Sequence, residues 1–103
     1  MYQKKLNLNQ VVQIYSTNPA KNYKIQNKGD LIEGFDADIV IVDPNQKLFV
    51  DQNIVFSKCG WTPYQDMTLQ GGCVVMTILG GQVVFDNGRI VASTTGKSII
   101  IQN

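Results

Sequence analysis

Histidine is absent from all 103 residues. That single gap excludes a histidine general base, a Ser-His-Asp or Cys-His arrangement and a histidine-ligated zinc centre within this chain. The two cysteines, Cys59 and Cys73, form neither a CxxC pair nor any metal-ligand spacing. A bridge between them is geometrically possible, but two reduced, partly buried thiols in a cytoplasmic chain are the expectation. Charge is sparse: nine basic and eight acidic residues, net +1, spread without a basic stripe, so neither nucleic acid nor an anionic membrane is an expected partner. Long apolar runs are missing too. Ile39–Val42 and Ile99–Ile101 fall far short of the ~20 residues a bilayer span needs. Lys4 and Lys5 near the start have no apolar segment behind them, so no secretory signal is expected.

What is present suffices for one small folded unit. Hydrophobic residues make up 44% and charged residues 17%, which argues against disorder. In Asn7–Ser16, Leu8, Val11, Val12 and Tyr15 stand at i, i+3, i+4 and i+7, the stripe of an amphipathic helix. Asn7 can cap it and Gln10 can reach back as a capping box. A second helical turn is expected at Pro19–Tyr23, with Asn18 as its cap and Pro19 at the first helical position.

From Lys24 onward the pattern turns to strands. Ile39–Val42 is a continuous β-branched run, as for a strand covered on both faces. The turn Asp43-Pro44-Asn45-Gln46 leads to Lys47–Val50. Val74–Leu79 and Gln82–Phe85 flank Gly80-Gly81, a tight hairpin signal. Asp86-Asn87-Gly88 turns the chain into Arg89–Ala92, and Ser98–Ile101 closes it. Asp51–Met67 has no clean period and reads as an irregular crossover with a helical turn near Asn53–Phe56. The expected architecture is mainly β, a partial β-sandwich with a short helical lead-in: residues 1–25 helical, 26–103 the β-domain.

Candidate chemistry is thin. Asp36, Asp38 and Asp43 are the tightest acidic group but read better as turn and strand-start residues than as a cation site. Lys28-Gly29 to Gly34 lacks the spacing of a phosphate loop, and Gly96-Lys97-Ser98 lacks the first glycine of one. Ser57 has no base to activate it. Trp61, Pro63 and Tyr64 offer a contact surface, although packing against the end of a sandwich is the favoured reading.

Four segments, in order, resemble one family. Asn18-Pro19-Ala20-Lys21 after a helix is similar to the step that ends the last barrel helix of the metal-dependent amidohydrolases. Lys28-Gly29, Gly34, Asp36-Ala37-Asp38, Ile39-Val40 and Asp43-Pro44 resemble their entry into a small β-domain. Ser57-Lys58 with Thr62-Pro63-Tyr64 resembles a dihydroorotase segment in particular, with Asp66 where glycine is usual. Gly72, Val75, Thr77-Ile78, Gly81, Val83-Val84 and Asn87-Gly88 resemble the closing hairpin, with Gln82 where lysine is commoner.

The resemblance implies a (β/α)8-barrel parent with a β-sandwich built from both chain ends. It implies metal-assisted hydrolysis or cyclisation of a cyclic amide such as dihydroorotate, a step of pyrimidine biosynthesis. Zinc belongs to that parent. Its ligands (an HxH pair, a carboxylated lysine, two further histidines and an aspartate) map onto no position here. The expectation is therefore a C-terminal structural segment with no catalytic, cofactor-binding or metal-binding residue of its own. Its expected partners are the missing catalytic barrel or a second copy recruited through open sheet edges. A stand-alone noncatalytic β-module, or the same segment of a hydantoinase or allantoinase, is the alternative.

Overall fold

The computed structural model describes residues 5–91 and 96–101. It opens on a helix made of three consecutive pieces: α1 (Leu8–Val12), a π-helical turn (Gln13–Thr17) and α2 (Asn18–Asn22). The capping box is in place. Asn7 Oδ1 accepts from the Gln10 N–H at 2.8 Å, and Gln10 Oε1 accepts from the Asn7 N–H at 2.9 Å. The expected break before Pro19 is not there. Asn18 has helical dihedrals and donates its N–H to Gln13 O, five residues back, so it continues the helix and does not cap a new one. Proline lacks an N–H and crowds the carbonyl four residues before it. A wider π turn is a known way for a helix to absorb such a defect.

The strands are β1 (Ile39–Asp43), β2 (Leu48–Phe49), β3 (Thr68–Leu69), β4 (Cys73–Leu79), β5 (Gln82–Asp86) and β6 (Arg89–Ile90). Four form an antiparallel sheet in the order β1-β4-β5-β6, while β2 and β3 pair as a separate ribbon. Both hairpin turns follow the sequence. Gly80 and Gly81, at φ +59° and +83°, join β4 to β5; Asn87 and Gly88, at +48° and +87°, join β5 to β6. Two consecutive left-handed residues match the twist of the strands they connect. The Asp43-Pro44 bend also stands as expected, with Asp43 Oδ1 accepting from the Asn45 N–H at 2.9 Å.

Several expectations need correction. The helical turn sits at Gln52–Ile54 and not at Asn53–Phe56, because the Asp51 carboxylate caps it through the Asn53 N–H. β3 follows the irregular crossover without any periodic signal, since two residues are too few to show one. Ser98–Ile101 forms no strand: Ile101 makes one bridge to Ile25, and Ile100 O accepts from the Gln26 N–H at 2.8 Å. Only Arg89 and Ile90 of the run Arg89–Ala92 are strand, and Ala92 lies outside the described residues.

The largest departure concerns the core. Among the described residues only Ala20, Val50 and Thr17 are buried, and no large side chain is fully enclosed. Leu8, Val12 and Tyr15 of the helix stripe are exposed, Tyr15 by 80%. Strand β1, expected to be covered on both faces, leaves Val40, Ile41 and Val42 exposed. Both segments carry the pattern of buried elements, and nothing among the described residues buries them.

Candidate functional site: a clamped turn and an uncovered apolar surface

Lys28 is the centre of the charged chemistry. Its Nζ lies 2.5 Å from Asp38 Oδ2 and 3.0 Å from Asp36 Oδ2. The other oxygen of Asp38 accepts from the Gly80 N–H at 2.8 Å, and Ala37 O accepts from the Gly81 N–H at 3.0 Å. The clamp therefore ties the turn before β1 to the β4–β5 hairpin. The Asp38 hydrogen bond, then that of Asp36, raises the Lys28 amine above the ordinary lysine value. Lys28, then the Gly80 N–H, holds the Asp38 carboxyl below the usual aspartate value. Both acidic groups, Asp36 and Asp38, are turned onto the lysine. Among the described residues no three His, Cys, Asp or Glu side chains gather as a cation site.

A second contact seats the helix. Gly29 has φ +95°, and a Cβ placed there would fall 2.5 Å from the Ala20 Cβ and 2.9 Å from Ser16 O. Its carbonyl accepts from the hydroxyls of Ser16 and Thr17, both at 3.3 Å. Glycine is required here both for its backbone angle and for the closeness of the helix. The sequence reading singled out Lys28-Gly29 as a loop and missed this role. The adjacent small residue Ala20 was the available signal.

The segment Ser57–Tyr64 does not pack as expected. Trp61 is 64% exposed, and Tyr64 and Phe56 are also largely open. The Phe56 ring touches the Phe85 ring edge-on at 6.3 Å, which fixes one end of the segment on β5 while the indole remains in solvent. Cys59 is a free, exposed thiol and Cys73 a free, half-buried one. The Ser57 hydroxyl, 3.1 Å from Cys59 Sγ, is the main cause holding that thiol below its ordinary pKa.

Total exposure gives the scale of what is uncovered. A folded monomer of 11.5 kDa exposes about 5,800 Å², whereas this chain exposes 8391 Å². Its radius of gyration is 15.4 Å, against about 13 Å for a compact domain of this length. The surplus of about 2,500 Å² exceeds what one partner contributes to a standard protein interface, about 800 Å². Leu8, Tyr15, Val40, Val42, Trp61 and Ile90 contribute to it. No helix among the described residues is long and apolar enough to cross a membrane.

Comparison with known proteins gives the chain its family. The sequence model of the amidohydrolase family matches residues 1–84. The chain belongs to that family. It is 38% identical over 95 residues to a dihydroorotase of Pyrococcus abyssi, covering 92% of this chain and 23% of the relative. An allantoinase of Rubrobacter xylanophilus is 32% identical over 89 residues, covering 86% and 19%. The solved dihydropyrimidinase of Brevibacillus agri superposes with a TM-score of 0.78 at 31% identity, covering 87% of this chain and 20% of that one. The L-hydantoinase of Arthrobacter aurescens gives 0.77 at 29%, covering 88% and 20%. The chain thus spans about a fifth of the length of these relatives.

Proposed function

We propose that this chain is the closing, structural segment of a dihydroorotase-type cyclic amidohydrolase. It supplies the last barrel helix and the C-terminal strands of a composite β-sandwich, and it leaves catalysis to polypeptide outside these residues. The observation that carries the reading is the near absence of a core in a chain whose helix and strands are patterned for burial. A free-standing module evolves a polar outer surface; this one presents Leu8, Val12, Tyr15 and the β1 residues to solvent.

The order of parts supports the closing position: a helix ending in Asn18-Pro19-Ala20-Lys21, a clamped turn, an apolar strand, then two tight hairpins. Dihydroorotases recur among the relatives, which favours dihydroorotate as the parent's substrate over hydantoin or allantoin. The parent's zinc would be held by the barrel. Free thiols at Cys59 and Cys73 suit a reducing cytoplasm.

A domain exchange tests this. The chain alone should open the ring of neither dihydroorotate nor hydantoin and hold no stoichiometric zinc. Grafted in place of the matching fifth of the Pyrococcus abyssi dihydroorotase, it should restore a folded, zinc-loaded enzyme. Ring-opening by the isolated chain would overturn the reading, as would a graft that folds only when placed at the opposite end of the barrel.

A further inference from the structure

The β5–β6 hairpin turns on Asn87 and Gly88, and Asn87 is the one asparagine of this chain that glycine follows. The turn carries two atoms able to close a five-membered ring, the side-chain amide carbon of Asn87 and the backbone nitrogen of Gly88. Three features leave that pair unprotected. Both residues are exposed, and a Cβ built on Gly88 would meet nothing within 4 Å. The amides around them are engaged, Asn87 N–H with Val75 O at 2.8 Å and Val91 N–H with Val84 O at 3.1 Å, while among the described residues no acceptor takes the Gly88 N–H. The strand beyond the turn is short. β6 holds Arg89 and Ile90 alone, paired to Asp86 and Phe85, and an edge of that length opens at little cost.

We infer that Asn87-Gly88 is a site of spontaneous covalent modification, converting to a succinimide and then to a mixture of isoaspartate and aspartate. The Gly88 nitrogen gives its proton to solvent base and attacks Asn87 Cγ. The N–Cγ bond forms as the Cγ–Nδ2 bond breaks, and Nδ2 takes up a proton and leaves as ammonia. Water then opens the ring. Breaking the N–Cγ bond gives aspartate; breaking the bond between the Gly88 nitrogen and the Asn87 main-chain carbon gives isoaspartate. No oxidant or cofactor is needed. Glycine matters because a side chain on the attacking residue would crowd ring closure. Either product puts a carboxylate beside Asp86, whose Oδ1 accepts from Asn87 Nδ2 at 2.8 Å in the unmodified chain, so an attraction becomes a repulsion. Isoaspartate also adds a backbone carbon to a turn of two residues. Turn length sets the register of a hairpin, so the pairs Phe85–Ile90 and Asp86–Arg89 are lost in that product. The reaction needs nothing from polypeptide outside these residues and stands apart from the proposed parent activity.

Ageing the unaltered chain in mildly alkaline buffer, with peptide masses followed over two weeks, tests this. The expected result is release of ammonia and a gain of about one mass unit in the peptide holding Asn87, with isoaspartate identified by electron-transfer fragmentation. Conversion there should exceed that at any other asparagine by about tenfold, because only Asn87 has glycine after it. Asn87→Gln should suppress it, and the site mapping on the unaltered chain decides even where that variant misfolds. In the isoaspartate product the Val91 N–H should lose its exchange protection. A parallel sample unfolded in urea shows what the fold contributes. The folded rate should come within about tenfold of the unfolded one, because so short a strand opens freely. An Asn87 that survives intact, another asparagine that converts first, or protection by the fold of about a hundredfold would overturn the inference.

Discussion

The junction around Gly29 and the outer edge of β1 are close in sequence and opposite in packing. At Gly29 the chain lies so close to the helix that a Cβ would fall 2.5 Å from the Ala20 Cβ, with both hydroxyls of Ser16 and Thr17 turned onto one carbonyl. At β1 an apolar strand borders open solvent, with Val40 55% exposed. Around Gly29 small and polar residues are satisfied inside the chain, whereas along β1 the large apolar ones are not. Internal contacts position the elements, and the apolar area that would stabilise them faces outward. Stability of the isolated chain should accordingly depend on a few close contacts and hardly at all on its hydrophobic stripes.

The strongest way to break that contrast is Gly29→Ala. Its Cβ would overlap the Ala20 Cβ, and φ +95° disfavours any side chain. Overpacking and backbone strain together should cost about 2–4 kcal/mol, read as a lowered urea midpoint with loss of the helix signal. Gly34→Ala is the control: φ is +92° there, but nothing lies within 4 Å, so only the strain of about 1 kcal/mol remains. Equal losses at the two positions would refute the tight-junction account.

The clamp comes next. Asp38→Asn removes the negative charge that faces Lys28, and the partly exposed pair should contribute about 0.5 kcal/mol. The sign with pH follows from the shifts. Asp38 is held below its unfolded value, so its contribution is present above pH ~4 and is lost as pH falls through the lower folded value. Lys28 is raised, so its share is complete below pH ~10 and is lost above the folded value. Urea midpoints of the parent chain and Asp38→Asn should therefore converge at both extremes. A constant difference across pH would assign the effect to packing.

The smallest effect sharpens the comparison from the other side. Tyr15→Ser on the exposed stripe should change chain stability by less than about 0.5 kcal/mol. A loss of several kcal/mol, typical of a buried aromatic, would show that the stripe is covered in solution.

Local features were legible because their causes are local. Asn7 and Gln10 face each other three residues apart, and Gly80-Gly81 and Asn87-Gly88 supply the backbone angles their turns demand. The π turn at Gln13–Thr17 was not legible. A proline one residue inside a second helix and a proline inside one continuous helix look the same in a string of letters. Trp61 and Tyr64 read as plugs in the sequence because large aromatics are usually enclosed, but among the described residues nothing encloses them. The Lys28 clamp was invisible for another reason, since Asp38 meets the Gly80 N–H from 42 residues away.

Caps, tight turns and the alternation of apolar runs were set by residue type alone, because each depends on backbone preferences within a few positions. The absence of histidine likewise removed a class of chemistry before any fold was known. Which apolar surfaces meet a partner, and which glycine must let a helix approach, were decided only in three dimensions. Burial depends on segments far apart in sequence, and most of the surface made for contact here has no such segment within the described residues.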